Sequence, residues 1–196
     1  MKRIGITGGI GAGKSLVAEI IKAMGYPVFN SDERAKELTE QDSKIKEGLI
    51  HLFGAEIYQN DKLNKFTLAQ AIFSDDSLRE KVNALIHPIV REDFNLWALA
   101  QNTELVFNES AILFETGADK NFDAIILVHA PKELRIKRIM KRDNCSENEV
   151  LKRMNSQFSD EEKFQYTELR IVNDEQTPLL TQVEQIILSF LYPKNG

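Results

Sequence analysis

Gly8-Gly9-Ile10-Gly11-Ala12-Gly13-Lys14-Ser15 is the stretch that organises the chain. It fits G-x-x-x-x-G-K-[ST], the phosphate-binding P-loop. Before it, Arg3-Ile4-Gly5-Ile6-Thr7 is short and rich in β-branched residues, which reads as a buried strand. After it, Leu16 to Met24 carries its apolar residues on one helical face and is stopped by Gly25 and Pro27. Strand, glycine loop and helix in that order are the context the motif requires. The glycines let the backbone turn tightly and aim successive N–H groups inward, at the N-terminus of a helix. Lys14 then reaches the β- and γ-phosphates of a nucleoside triphosphate, and the Ser15 hydroxyl ligates Mg²⁺.

The bulk numbers narrow the setting. A chain of 196 residues holds one α/β domain with an insertion or a lid, not two large independent domains. Its net charge of −5, with no long basic run, argues against a nucleic-acid surface. A protein this acidic has to gather its lysines and arginines locally to hold phosphates. Cys145 is the single cysteine, so no internal disulfide forms, in keeping with a reducing compartment. Neither a signal peptide nor an apolar run of membrane-spanning length is visible. These features point to a cytoplasmic enzyme.

Beyond the P-loop helix, Pro27 to Asn30 reads as a second strand that ends in Ser31-Asp32. A carboxylate just past a strand's C-terminal end lies where open parallel sheets place their ligands. Asp32 equally suits capping of a helix that starts at Glu33, so both readings stand at this point. Residues 33–102 show helical spacing and little strand signal, with a turn at Asn60-Asp61. The last segment, from Asp75, carries Pro88, which predicts a kink or a restart. So much helix between two strands exceeds a simple crossover and reads as an insertion for a second substrate. His87 and Arg91, four apart, share one helical face there.

Glu104 to Asn108 is a third strand, and Glu109 follows at its end, where P-loop enzymes place the acid that organises Mg²⁺; Glu115 is a second candidate. Phe122 to Val128 is a fourth strand. The helix after it, Pro131 to Asp143, carries Arg138 and Arg142 on one face. Arginines there suit closure over a transferring phosphoryl group, although a solvated basic face fits Lys137 and Lys141 alongside. A fifth strand at Leu169 to Asn173 and an amphipathic helix from Pro178 to Leu191 complete the pattern. Five strands alternating with helices predict an α/β, three-layer α/β/α P-loop kinase fold with a five-stranded parallel sheet. The expected organisation is a single unit. Its core is 1–34, 103–137 and 167–196, with a helical acceptor-binding insertion at 35–102 and a lid at 138–166.

Several tracts together resemble the dephospho-CoA kinase family along almost the whole chain. Ile4 to Ser15 is similar to that family's GLTGGIGSGKS, and Asn30 to Lys36 to its D-A-D-x-x-A-R. Val82 to Arg91 resembles LNALLHPLIR, and Glu109 to Glu115 resembles D-x-P-L-L-F-E. Arg138 to Asp143 resembles RLxxRD, Arg153 to Lys163 through Gln157 resembles the lid tract, and Asn173-Asp174 resembles NdG without its glycine. The resemblance implies ATP-dependent phosphorylation of the ribose 3′-hydroxyl of dephospho-CoA, with Mg²⁺. It implies Asp32 as base, Lys14, Arg138 and Arg142 on the transferring group, and Gly8 through Ser15, Arg138 and Asn173 on ATP. On the acceptor it implies Asp32, His87, Arg91 and Glu115, and on the metal Ser15 and Glu109. The expected state is a monomer or weak homo-oligomer. Asn30 and Glu109 depart from the family's acids. A kinase of another small acceptor is the nearest rival. A GTPase-like switch lacks its N-K-x-D and D-x-x-G tracts here.

Overall fold

In the computed structural model, which describes residues 1–192, β1 (Lys2–Thr7) runs into the glycine loop and α1 (Lys14–Ala23). Next come β2 (Val28–Asn30), α2 (Ser31–Gln41), α3 (Ser43–Phe53) and a 3-10 turn at Ala55–Ile57. A small hairpin of β3 (Tyr58–Gln59) and β4 (Lys62–Leu63) leads to α4 (Lys65–Ser74) and α5 (Asp76–Leu99). After β5 (Leu105–Glu109) and a second 3-10 turn at Ala118–Asn121 come β6 (Ala124–His129), α6 (Lys132–Asp143), α7 (Glu147–Asn155) and α8 (Asp160–Lys163). The last elements are β7 (Arg170–Val172) and α9 (Leu179–Leu191). Residues 193–196, the end of the expected core, lie outside the described residues.

The chain divides into two compact units, one formed by Met1–Asn30 with Gln101–Gly196 and the other by Ser31–Ala100. The first unit holds the five-stranded sheet in the order β2-β5-β1-β6-β7, every pair parallel. Its central strands carry little polarity because they are covered on both faces. Ile4, Ile6, Phe107, Ile126 and Val128 meet Val17 and Ile21 of α1 and Val183 and Ile187 of α9 on one face. Ile125, one residue from Ile126 and so on the opposite face, meets Leu113 and Phe114. Full burial of one such side chain contributes about 1.5–3 kcal/mol, so two covered faces define the core. Ile6 and Asn30 are both in register with Glu109, which aligns the C-terminal ends of β1, β2 and β5 beside the glycine loop.

At Gly13 the loop leaves no room for a side chain. This residue caps α1 with φ 96°, and a Cβ there would lie 2.0 Å from the Asn173 side-chain nitrogen. Gly13→Ala is therefore expected to lower stability by about 1–3 kcal/mol, read as a shift of the urea midpoint. An unshifted midpoint would mean that the loop relaxes at no cost.

The second unit is built around α5. Val82, Ile86, Val90, Phe94 and Ala98, spaced four apart, form its buried stripe, and α2, α3 and α4 pack on it. Of the kink or restart expected at Pro88, the restart does not occur, because α5 is one helix over Asp76–Leu99. An interior proline costs about 3 kcal/mol, and buried stripe residues on both sides of it outweigh that. Two further expectations are corrected. A short hairpin interrupts the helices, with Asn60 and Asp61 both at positive φ, the backbone of a tight hairpin turn. And α2 starts at Ser31 rather than Glu33, which puts Asp32 inside its first turn and not at the cap. There its charge complements the helix dipole.

Candidate active site

In the sheet unit, the loop is held by its own side chains and by its neighbours. Lys14, buried, turns back so that Nζ donates to the Gly8 carbonyl at 3.0 Å. Asn173, just past β7, donates through Nδ2 to the Ala12 carbonyl at 2.9 Å, while its backbone N–H bonds the His129 carbonyl. Asn173, which the resemblance implies on ATP, thus braces the loop. It lines a recess of about 560 Å³ with Gly13, Leu16, Arg138 and Pro178.

The exposed Ser15 hydroxyl donates to Glu109 Oε1 at 2.8 Å, and Asn30 Nδ2 donates to Glu109 Oε2 at 3.2 Å. Where a carboxylate would repel Glu109, the Asn30 amide supports it. A hydroxyl and a carboxylate side by side at the mouth of the loop are hard oxygen donors. They fit Mg²⁺, which takes one or two protein oxygens and completes its shell with phosphates and water.

Arg138 spans the Gly11 carbonyl, the Asn173 carbonyl and side-chain oxygen, and Glu175, with its Nη2 3.0 Å from Glu175 Oε1. Glu175 has φ 66°, the left-handed conformation in which a glycine is favoured, two residues beyond Asn173. Arg138 and Arg142 both line a smaller recess of about 220 Å³ with Gly11, Gly13, Lys14 and Ser15. Arg142 is mostly exposed and grips Asp143 at 2.7 Å; Asp143 is also held by Arg153. Arg142 above all, then Arg153, holds the Asp143 carboxyl at about 2.

Glu115 lies close to the loop's supports. Its Oε1 accepts from the buried Lys163 at 2.8 Å and from the Phe158 backbone at 2.9 Å. Arg135 is the residue that the sequence reading missed. It is buried against the loop, with Nε donating to the Ile10 carbonyl at 2.9 Å and Nη1 to both oxygens of Asp160. The signal was there: 135, 138 and 142 stand at i, i+3 and i+7 on one face of α6.

In the helical unit, Asp32 and Arg91 both come within electrostatic range of His87. Burial pushes the His87 imidazole below its ordinary value, the Arg91 charge adds to this, and the Asp32 carboxylate opposes it. The ring is thus neutral at pH 7 and offers one donor and one acceptor nitrogen. Arg91 Nε donates to the His87 carbonyl at 3.3 Å, one turn back. Arg34 clamps Asp93 through Nε at 2.7 Å and Nη2 at 3.2 Å, tying α2, which carries Asp32, to α5, which carries His87. A two-pronged guanidinium–carboxylate contact fixes orientation as well as distance.

A lysine and a serine at the head of a helix, beneath a glycine loop at the C-terminal edge of a parallel sheet, define a P-loop phosphotransferase. The model of the family described as dephospho-CoA kinase matches residues 2–178. This chain belongs to the dephospho-CoA kinase family. A dephospho-CoA kinase of Bacteroides fragilis is 42% identical over 193 residues, covering 98% of this chain and 94% of that protein. The crystal structure of TT1252 from Thermus thermophilus superposes with a TM-score of 0.84 at 34% identity, covering 100% of this chain and 98% of the other. Dephospho-CoA kinase from Campylobacter jejuni shares the fold, with a TM-score of 0.68 at 24% identity over 95% of this chain and 96% of that one.

Proposed function

We propose that the protein transfers the γ-phosphoryl group of ATP to the ribose 3′-hydroxyl of dephospho-CoA, giving CoA and ADP. The observation that carries the acceptor is the family match, which runs through residues 2–178 and so includes the whole helical unit as well as the loop. The chemistry fits the residues. Phosphoryl transfer passes through a loose, charged transition state, so the protein chiefly positions and neutralises. Backbone N–H groups of the Gly8 to Ser15 loop, apart from that of Ile10, which bonds Gln157, and the Lys14 ammonium hold the phosphates. Ser15 and Glu109 would hold Mg²⁺, which would supply charge neutralisation at the transferring phosphates. Asp32 orients the acceptor hydroxyl and takes its proton, with His87 and Arg91 on the acceptor beside it. Glu115 reaches the acceptor only if Lys163 shares it.

Arg138 and Arg142 stabilise charge that develops on the transferring group. Arg142 can leave Asp143 because Arg153 keeps that carboxylate paired. Residues 138–166 serve as the lid that excludes water, and 35–102 as the acceptor-binding insertion. Among the described residues no helix is long and apolar enough to cross a membrane. We place the enzyme in the cytoplasm as a monomer or weak homo-oligomer, with no nucleic-acid partner.

The direct test is ADP release from ATP and Mg²⁺ with and without dephospho-CoA, with the product checked by mass. Strong stimulation and one added phosphate at the 3′-position are expected. A folded, ATP-binding protein that dephospho-CoA does not stimulate would overturn the acceptor. Glu109→Gln is expected to raise the Mg²⁺ concentration for half-maximal rate by about 10–100-fold. An unchanged Mg²⁺ requirement would remove Glu109 from the metal.

A further inference from the structure

We infer that Arg135 is a positioning residue of the phosphate loop, through which the placement of the α8 segment sets the affinity for ATP. The inference rests on the reading that this loop binds ATP. Both main-chain polar groups of Ile10 are already taken in the structure. Its carbonyl accepts from Arg135 Nε at 2.9 Å, and its N–H donates to Gln157 Oε1 at 2.9 Å. The Arg135 guanidinium also lies directly on the loop, because a Cβ at Gly9 would come 2.1 Å from its Nη2. In a planar trans peptide the C=O and the next N–H point in opposite directions. Holding the Ile10 carbonyl on Arg135 therefore turns the Gly11 N–H away from it. A loop that binds an anion through backbone N–H groups gains affinity when those groups are oriented before the ligand arrives.

Arg135 is itself fixed from the other side. Asp160, the first residue of α8, takes Nη1 on both oxygens at 2.8 and 2.9 Å. Asp160 Oδ2 also lies 3.0 Å from His129 Nδ1, and a carboxylate only accepts, so that nitrogen carries the hydrogen. Lys163, fully buried, anchors the same short helix to Glu115 and to the Ala111 carbonyl. Gln157, Asp160 and Lys163 thus each tie the α8 segment to the core, and two of them, Gln157 directly and Asp160 through Arg135, end on Ile10. A buried ion pair is a weak source of stability compared with apolar side chains of similar volume. Its use here is geometric.

The experiment measures ATP affinity by calorimetry and unfolding midpoints on the full chain. Arg135→Gln is expected to weaken ATP about tenfold, the loss of a hydrogen bond from a charged donor. The KM for the acceptor should stay within about twofold, since the contacts of Arg135 are to the loop and to Asp160. Arg135→Lys keeps the charge opposite Asp160 but lacks the fork needed to hold Ile10 as well. It is expected to recover the midpoint and not the ATP affinity, a split that a purely structural role does not produce. If the single variants fail to fold, Arg135→Leu/Asp160→Leu removes both charges together and decides the matter. Native-like ATP affinity in a folded Arg135→Gln or in the double variant would overturn the inference. Unaltered protein that binds no ATP would sink the reading of the loop and this inference with it. Loss of acceptor stimulation alone would leave both standing.

Discussion

Asp32→Asn is expected to lower kcat by about 10²–10⁴-fold while ATP affinity stays within about twofold, the range that positioned acid–base groups supply. The change is isosteric and lies in the first turn of α2, where loss of the charge costs the helix only about 0.3–1 kcal/mol. Arg34 keeps its clamp on Asp93, so α2 stays on α5. What disappears is the carboxylate proposed to take the acceptor proton; Glu33, next to it, is the other carboxylate of the tract. Asn30 occupies the other position of the acidic tract and its amide is spent on Glu109. His87 is neutral but beside the Arg91 charge, which makes it a poor base. The asparagine still accepts a hydrogen bond, so alignment of the acceptor is partly retained and the upper end of the range is reached only if proton removal matters. Single-turnover transfer to dephospho-CoA, with ATP binding measured separately, reads the two effects apart. Turnover near that of the unaltered protein would take Asp32 out of the mechanism.

Lys14→Ala is expected to cost about 10²–10³-fold or more in kcat, and to weaken ATP as well. In the proposed mechanism Lys14 differs from Asp32 in acting on the phosphates in both the ground and transition states, so KM and kcat are expected to move together. Its ammonium also stitches the loop to itself through the Gly8 carbonyl. Part of the loss therefore comes from a looser loop. Lys14→Met, which keeps most of the buried stem, isolates the charge; the two variants should differ in unfolding midpoint more than in rate. Unchanged turnover in either would refute the assignment of the loop.

The loop, its strand and its helix are local: glycine spacing, β-branching and one apolar face are each set within about ten residues. The same holds for the capping of α3 by Asp42, α4 by Asn64 and α5 by Asp75, where a side chain accepts a nearby backbone N–H. Candidate residues at strand ends followed from the rule that parallel sheets present ligands there, and Glu109 does lie beside Ser15. The restart considered at Pro88 does not occur, because propensity counts a local cost and not the stripe buried along the rest of α5. The start of α2 misled for a related reason, since Ser31 and Asp32 are both good caps and helix ends are weakly specified.

By itself the sequence determined the nucleotide-binding class, the alternation of strand and helix, and the glycine loop with its lysine and serine. Those properties rest on short-range spacing, which a chain carries before it folds. Only the tertiary structure decided how charges far apart in the chain meet. Arg135 finds Asp160 across 25 residues and Ile10 across 125, and Glu109 finds Ser15 across 94. Arg135 reads locally as one more cation on a basic helix. Packing of α6 against a loop without side chains at Gly9 and Gly11 is what buries it and makes the loop its partner.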